Sequence, residues 1–352
     1  MSTEKRNENF MLKQSRYSKG KKNVKQYSKN NASKKSGSGK NSYNAYYKKN
    51  DDGFQPKSNG KSNYGKKKYP SKSKGYPKKN AQKPSIKIAF LGGLNEIGKN
   101  ITLVECENDI IIIDCGMAFP DGDMLGVDLV IPDFTYIEQN ADRVKGIILT
   151  HGHEDHIGGL PFLLSKVNVP IYGTPLTLGL VGNKLKEHSL YNQSQLNVIN
   201  AGQSIKLGCM KIDFIHVNHS IPDAVAFAIH TPGGTIVHTG DFKIDCTPIT
   251  GDMIDLSSFA RVGDEGVLAL LSESTNAERP GYTPTERTVS DSLDNLFKSA
   301  ENYRIIIATF ASNVNRVQQI IDCAEKYGRK VAFSGRSMVN YMAVSYTHLR
   351  AH

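Results

Sequence analysis

Hydrophobic positions recur regularly only after Pro84, in short runs separated by Gly, Asn and Asp. Period-two alternation and compact apolar runs indicate strands, whereas apolar spacing of three and four residues indicates helices. Strands are predicted at 85–90, 101–106, 110–115, 144–150, 169–173, 204–207, 210–217, 224–231, 235–238, 267–272 and 304–309. Helices are predicted at 159–166, 175–187, 285–300 and 314–327. Strands mixed with helices in this way are typical of a layered α/β fold.

The first 84 residues have a different composition from the rest of the chain. They hold 24 Lys and Arg against 4 Asp and Glu, a surplus of 20 positive charges, and almost no aliphatic residues. The whole chain carries +11, so the remainder carries about −9. A segment with so little apolar surface cannot offset the entropy of ordering, and we expect residues 1–84 to be disordered.

The basic segment also holds 8 of the 16 tyrosines, interleaved with lysine clusters such as 66–68. Lysine neutralises phosphates with counterion release, and tyrosine stacks on unpaired bases. This composition favours affinity for nucleic acid. A solubilising tail without a specific partner remains the alternative, because composition alone does not separate the two.

The cysteine pattern bears on the compartment. The five cysteines are odd in number and widely spaced, and none forms a Cys-x-x-Cys pair. Neither a disulfide framework nor a thiolate zinc site fits, and a reducing cytoplasm does. The first residues contain no apolar run typical of a signal peptide, and no stretch is long enough for a membrane span.

The densest candidate chemistry is Thr150-His151-Gly152-His153-Glu154-Asp155-His156, directly after a predicted buried strand. A loop at the end of a strand can direct side chains into a shared cleft. Imidazole nitrogens and carboxylate oxygens are ligands for Zn or Mn. The alternatives are a hydrogen-bonded histidine cluster or a histidine-rich surface tract, and this spacing favours a metal site over both.

Four motifs in order resemble the metallo-β-lactamase superfamily. They are the His-x-His-x-Asp-His stretch, Asp114 in Ile-Asp-Cys-Gly, His219 in Asn-His-Ser and Asp241 in Gly-Asp-Phe. The resemblance implies a four-layer αββα sandwich.

Further motifs resemble ribonuclease J, a member of the β-CASP subfamily, over about residues 86–343. They are 92–100 (GGLNEIGKN), 116–120 (GMAFP), 124–133, 272–278 (SESTNAE), 310–313 (FASN) and 334–338 (SGRSM). The glycines at 92–98 also invite a dinucleotide-site interpretation, but no helix start and ribose-binding acid follow them in a βαβ unit.

The resemblance implies a two-metal centre. One ion would be held by His151, His153 and His219, a second by Asp155 and His156, and Asp241 would bridge them. Two divalent ions, Zn or Mn, can generate a nucleophile from water near neutral pH and stabilise an in-line displacement at phosphorus.

The resemblance also implies roles around the metals. Catalytic roles are expected for Asp155, Asp241 and Glu273, with Glu273 orienting a ligand histidine. Asp114 would support the metal loop from behind, while Glu154 is expected to point to solvent. Candidates for contact with the RNA backbone are Ser312, Asn313, Arg316 and Ser337.

The expected domains are a tail at 1–84, a metallo-β-lactamase domain at 85–275 and the start of an inserted β-CASP domain at 276–344. Residues 345–352 match nothing expected of the family and are interpreted as a non-native tail. The resemblance implies a longer protein with a further ligand histidine. We therefore interpret the chain as a C-terminally truncated fragment, and whether this fragment is active by itself is left as a question.

The predicted function is a metal-dependent ribonuclease, acting endonucleolytically and 5′ to 3′ in mRNA decay and rRNA maturation. The predicted partners are single-stranded RNA, further copies of the chain and RNA-decay proteins, with no membrane. The alternatives are another hydrolase of the superfamily, such as a thioesterase or lactamase, and a non-catalytic RNA-binding subunit.

Overall fold

The computed structural model describes residues 83–249 and 251–349, without the side chains of 348 and 349. The first sheet has six strands, β1 (Ile86–Gly92), β2 (Ile101–Cys106), β3 (Asp109–Ile113), β4 (Val144–Ile148), β5 (Ile171–Gly173) and β6 (Leu196–Val198). The second has five, β7 (Ser204–Leu207), β8 (Met210–His216), β9 (Val225–Thr231), β10 (Gly234–His238) and β11 (Ala269–Leu271). The predicted disorder of 1–84 lies almost wholly outside these residues.

The strand directions follow from the connections. In the first sheet the order is β1-β2-β3-β4-β5-β6, with antiparallel hairpins up to β3 and parallel pairs from β3 to β6. The second sheet has the order β11-β10-β9-β8-β7, antiparallel except for the parallel pair β10–β11. Strands β3 and β4 therefore end at one edge, as do β8, β10 and β11.

The core between the sheets is built from alternate strand residues. Ile111 and Ile113 of β3 pack in the same cluster as Phe214, Phe227 and other apolar residues of the second sheet. Their neighbours Ile110 and Ile112 belong instead to a cluster shared with the helices outside the first sheet. Because both faces of β3 are buried, its sequence is a continuous run of isoleucine rather than an alternation.

Helices cover both outer faces. Leucines of α3 (Leu160–Leu164) and α4 (Pro175–Glu187) pack on the first sheet. Val262 of α5 (Leu256–Glu265) packs with Ala226 and Ala228 of the second sheet. The remaining helices are α1 (Thr135–Gln139), α2 (Glu154–Ile157), α6 (Glu286–Ser299), α7 (Val314–Lys326) and α8 (Arg336–Leu349). The predicted αββα sandwich is confirmed.

The predicted strand at 304–309 is wrong. Its alternating residues pair with no strand in the described part of the chain, and Ile306 is 89% exposed. A strand needs a neighbour for its backbone N–H and C=O groups, whatever its side-chain pattern. The sequence prediction also missed β6 and the helices α1, α2, α5 and α8.

The predicted domain boundaries stay predictions. Helix α8 continues without a break from Arg336 through 345–349, the residues interpreted as non-native. Within the described ranges, no helix has both the length and the apolar character needed to cross a bilayer.

Candidate metal centre

The candidate ligands follow strands that end at one edge of the sandwich. Asp114 follows β3, and the histidine-rich loop follows β4. His219 lies after β8, and Asp241 lies after β10. Because these strands run in the same direction within each sheet, their carboxyl ends bring distant parts of the chain together.

Three imidazoles converge on one point. Nδ1 of His153 lies 3.0 Å from Nε2 of His151 and 3.2 Å from Nε2 of His219. Tetrahedral zinc with Zn–N bonds of about 2.0–2.1 Å would separate its nitrogen ligands by about 3.3 Å. One proton on Nδ1 could satisfy only one of its two neighbours, whereas a single cation satisfies all three lone pairs. The donor set therefore fits a metal ion.

The other ring nitrogen of His151, Nδ1, already has a hydrogen-bond partner. The hydroxyl of Thr150 donates to Oδ2 of Asp114 at 2.8 Å and lies 3.0 Å from Nδ1 of His151. A hydroxyl that donates to a carboxylate accepts from the imidazole, so Nδ1 of His151 carries the proton. Its Nε2 is left with a free lone pair directed at the other two histidines.

A second donor set lies beside the first. Nε2 of His156 is 3.5 Å from Oδ1 of Asp241 and 3.6 Å from Oδ2 of Asp155. Oδ2 of Asp241 is 3.8 Å from Nε2 of His219, so its two oxygens face the two donor sets. All six predicted ligands are thus brought to one place.

Asp114 holds this arrangement from behind. Its Oδ1 accepts from the backbone N–H of Thr150 at 2.8 Å, and its Oδ2 is 2.8 Å from Nδ1 of His156. Asp114 is 2% exposed and adopts a left-handed backbone conformation with φ of 60°. The carboxylate engages Nδ1 of His156, so Nε2 is the ring nitrogen directed at the second donor set.

Burial keeps the first set of imidazoles neutral. It lowers the pKa of His153 to about 4 and that of His219 to about 3, with neighbouring histidines adding to the shift at His219. It also lowers the pKa of His151 well below its usual range. Neutral imidazole is the form that binds metal.

The second set has the opposite electrostatics. Burial would lower the pKa of His156, but the carboxylates of Asp114 and Asp241 outweigh it and raise the pKa. Burial would likewise raise the pKa of Asp241, and the hydrogen bond and charge of His156 instead lower it to about 2. Asp241 is therefore anionic at neutral pH.

Glu273 acts on the bridging loop rather than on a histidine. Its Oε1 accepts from the backbone N–H of Phe242 at 3.2 Å, next to Asp241, and Oε2 accepts from Thr275 at 3.1 Å. Among the described contacts it touches no ligand ring, which differs from the orientation role that the resemblance implied. Glu154 likewise does not point freely to solvent but pairs with Lys184 of α4 at 2.7 Å.

The four residues predicted to contact RNA lie in different settings. The backbone of Ser312 lies beside the His153 ring and acts to raise its pKa, although burial dominates. Asn313 caps α7 by accepting from the N–H of Arg316 at 3.1 Å. The Arg316 guanidinium donates to Glu286 at 3.0 Å, and Ser337 is exposed in the first turn of α8. The first three therefore have internal contacts, and their RNA contacts stay predictions.

Three contacts at the metal loop escaped the sequence prediction. The Tyr341 hydroxyl of α8 donates to the carbonyl of Gly152 at 3.3 Å, between the first two ligand histidines. The Asn100 amide lies against Asp155 and His156, and Thr150 links Asp114 to His151. Two of these residues lay in motifs that the sequence showed, because Thr150 begins the histidine-rich stretch and Asn100 ends the motif at 92–100.

Residues 94–282 match the sequence model of the metallo-beta-lactamase superfamily. The chain belongs to this superfamily. Membership implies divalent-metal binding. Among the described residues, the histidine and aspartate cluster could hold the metal. Residues 302–349 match a second model, described as the beta-CASP domain of ribonuclease J.

Curated relatives point to the same branch of the metallo-beta-lactamase superfamily. The chain is 47% identical over 267 residues to Ribonuclease J of Synechocystis sp., covering 75% of this chain and 42% of the relative. It is 49% identical over 253 residues to Ribonuclease J 1 of Streptococcus pyogenes, covering 72% and 45%. The predicted resemblance to ribonuclease J is confirmed. The chain spans less than half the length of these relatives.

A solved structure supports the fold. A protein of unknown function from Enterococcus faecalis superimposes with a TM-score of 0.53 at 18% identity, covering 72% of this chain and 71% of that one. At this identity the similarity concerns the fold alone.

Proposed function

We propose that the chain carries the catalytic centre of a metal-dependent ribonuclease that hydrolyses RNA phosphodiesters. The observation that carries this proposal is the pair of adjacent donor sets sharing Asp241, in a chain whose relatives are named ribonuclease J. A shared bridging carboxylate suits two cations close together, which is the arrangement used to cleave phosphodiesters.

His151, His153 and His219 would hold one cation, Asp155 and His156 the second, and Asp241 both. We propose zinc, with manganese as the alternative, because both accept imidazole and carboxylate ligands. When bound, two such ions supply a nucleophile from water at neutral pH and stabilise the negative charge that develops on the phosphate oxygens.

The protein's own residues make the centre ready for this chemistry. Asp114 and Thr150 fix the orientation of two ligand rings, and burial keeps the first three imidazoles unprotonated. Glu273 and the Phe242 N–H hold the loop that carries Asp241. In this proposal, Asp155 and Asp241 act in catalysis through the cations and Glu273 acts as a positioning residue.

The biological context is proposed at a coarser level. Acting endonucleolytically and 5′ to 3′, the enzyme would serve mRNA decay and rRNA maturation in the cytoplasm, as a homo-oligomer with RNA-decay partners. The domain boundaries at 84, 275 and 344 belong to the same proposal. Ser312, Asn313, Arg316 and Ser337 remain candidates for the RNA backbone, Ser312 with the best support because of its place beside His153.

The test compares the chain with a His153→Ala variant on single-stranded RNA, a thioester and a β-lactam, each with added Mn²⁺ or Zn²⁺. His153 contributes the Nδ1 atom on which the first donor set converges. We expect RNA cleavage by the parent chain and at least about a hundredfold loss in the variant, measured on end-labelled RNA.

The matched control is His188→Ala, because His188 is an exposed histidine at the end of α4 and away from the ligands. This variant should cleave as the parent does. Hydrolysis of the thioester or lactam instead of RNA would show that the chain has another activity of the superfamily. Equal RNA cleavage by His153→Ala and His188→Ala would refute the site.

A further inference from the structure

The side chain of Asn100 lies directly over the second donor set. Its Nδ2 is 3.1 Å from Nε2 of His156 and 3.3 Å from Oδ2 of Asp155. These are the two atoms that the proposed function assigns to the second cation. Asn100 directly precedes β2, whose first residue lies at the same edge of the sheet as the end of β3.

The backbone keeps Asn100 in this place. Its N–H donates to the carbonyl of Asp155 at 3.0 Å, and its carbonyl accepts from the N–H of Gly116 at 2.9 Å. Gly93 packs so closely that a Cβ there would collide with the amide oxygen of Asn100. A Cβ at Gly116 would collide with the carbonyl of Asp155. Two glycines thus allow this loop to approach the metal loop.

The amide donates to oxygens of Asp155. Its Nδ2 lies 3.1 Å from the backbone carbonyl of Asp155 and 3.3 Å from the carboxylate, which has only acceptors. Nε2 of His156 is 3.1 Å from the same Nδ2 and is the ring nitrogen that Asp114 does not engage. A cation bound by that carboxylate and that ring nitrogen would repel the NH₂ donors. Half a turn of the amide then exchanges Nδ2 for Oδ1 with almost no change in shape.

The coordination of the second cation leaves room for this exchange. The described residues give it one imidazole and two carboxylates, one of them shared with the first set, and the resemblance implies one further histidine. Mn²⁺ accepts about six ligands, so an amide oxygen still fits. Asn100 is the neutral oxygen-bearing side chain in contact with two of these ligands.

We propose that Asn100 is a ligand of the second cation, its amide NH₂ donating to Asp155 without metal and its Oδ1 coordinating when the metal binds. This inference rests on the two-cation centre of the proposed function. It adds a residue from the glycine-rich opening loop to the ligands that the sequence motifs supplied.

The experiment titrates metal-free chain with Mn²⁺ and follows free Mn²⁺ by its electron paramagnetic resonance signal, without RNA. The parent should bind two ions. Asn100→Leu removes the oxygen at similar volume, so the second dissociation constant should rise at least about tenfold while the first stays unchanged. Asn100→Asp keeps an oxygen and adds charge, so the second dissociation constant should stay or fall.

The matched control is Asn168→Ala, which removes an exposed amide bonded to the Gln193 carbonyl rather than to a candidate ligand and should leave both constants unchanged. Second-site binding by Asn100→Leu that equals the parent would overturn the proposal. Weaker second-site binding by Asn100→Asp would also overturn it, because this variant keeps an oxygen and loses only the NH₂ donor. The Asn100→Asp measurement decides the question if the leucine variant does not fold.

The readout separates this inference from the nuclease proposal. A parent chain that binds two ions, weakened at one by Asn100→Leu, supports the inference even when it cuts no RNA. If the parent cuts RNA while it binds a single ion, the inference is overturned and the nuclease proposal stands. The same holds if the affinity for the second ion does not change in Asn100→Leu.

Discussion

At the scale of single residues, Glu105 shows how a buried carboxylate outside the candidate metal centre is stabilised. It lies on β2 and is 7% exposed. Its Oε1 pairs with Lys87 at 2.9 Å and Arg143 at 2.8 Å, and Oε2 accepts from Tyr136 at 2.8 Å. Burial would raise the pKa of Glu105, but these partners outweigh it and lower the pKa to about 2.

Glu105→Gln should therefore destabilise the fold in a pH-dependent way. The folded-state pKa lies below the usual value of 4.5, so the carboxylate contributes stability above pH 4.5 and loses it as the pH falls towards 2. We expect a loss on the order of 2 kcal/mol at pH 7 that shrinks below pH 4.5. Urea unfolding at several pH values measures it.

Glu138→Gln is the control, because Glu138 also pairs with a lysine but at the surface, where a pair contributes about 1 kcal/mol or less. A loss at Glu105 that is equal at pH 7 and pH 3 would show that charge is not the cause.

Residue-scale prediction worked where chemistry is local in sequence. The histidine motif was found because its candidate ligands lie within six residues after a strand. The six candidate ligands were named by family resemblance, and the structure brings them together. Asn100 and Tyr341 were assigned no role because they reach the metal loop from 55 and 189 residues away in the chain. Only the fold creates such contacts.

At the scale of elements, α8 contacts the metal loop from outside the sandwich. Tyr341 is 8% exposed, packs with the core beneath the first sheet and bonds to Gly152. Burial raises the pKa of the Tyr341 phenol, and the charges of Glu154 and Asp155 add to the shift. The hydroxyl is thus a neutral donor to a carbonyl between two ligands.

Tyr341→Phe should keep the packing and lose the hydrogen bond. An unsatisfied buried carbonyl costs about 1–3 kcal/mol, and the loop that carries His151 and His153 should loosen. We expect a lower unfolding midpoint and a several-fold weaker first-site affinity for Zn²⁺, measured by calorimetry. Tyr282→Phe, at a fully exposed tyrosine, should change neither, and an unchanged midpoint for Tyr341→Phe would contradict the role.

Elements with strong periodicity were predicted almost to the residue. Helix α4 was predicted at 175–187 and lies at Pro175–Glu187, while β7 lies at Ser204–Leu207 as expected. The strand at 304–309 failed because pairing depends on a partner that local pattern does not reveal. Helix α2 was missed because it is a single turn of four residues, two of which are candidate ligands.

At the scale of the whole molecule, charge divides the chain. The surplus of 20 positive charges in 1–84 contrasts with about −9 in the rest. Phosphate binding through lysines falls steeply with salt, because each contact releases condensed counterions. The tail lies outside the described residues except for its last two, so its role is argued from composition.

Deleting residues 1–84 should weaken RNA affinity and flatten its dependence on salt, while the number of bound metal ions stays the same. Fluorescence anisotropy with single-stranded RNA between low and physiological salt measures the slope. Replacing the tail lysines with glutamine at constant length is the control for size and should reproduce the deletion. Equal affinities at every salt concentration would support the solubilising tail.

The backbone at Asp114 has a consequence for how this protein can change. Its left-handed φ of 60° is adopted by glycine, asparagine and aspartate more readily than by most residues. Glycine would leave the buried Thr150 N–H and the His156 ring without acceptors, and asparagine offers one acceptor oxygen where the structure uses two. Evolution therefore has almost no freedom at position 114, although this side chain belongs to neither donor set.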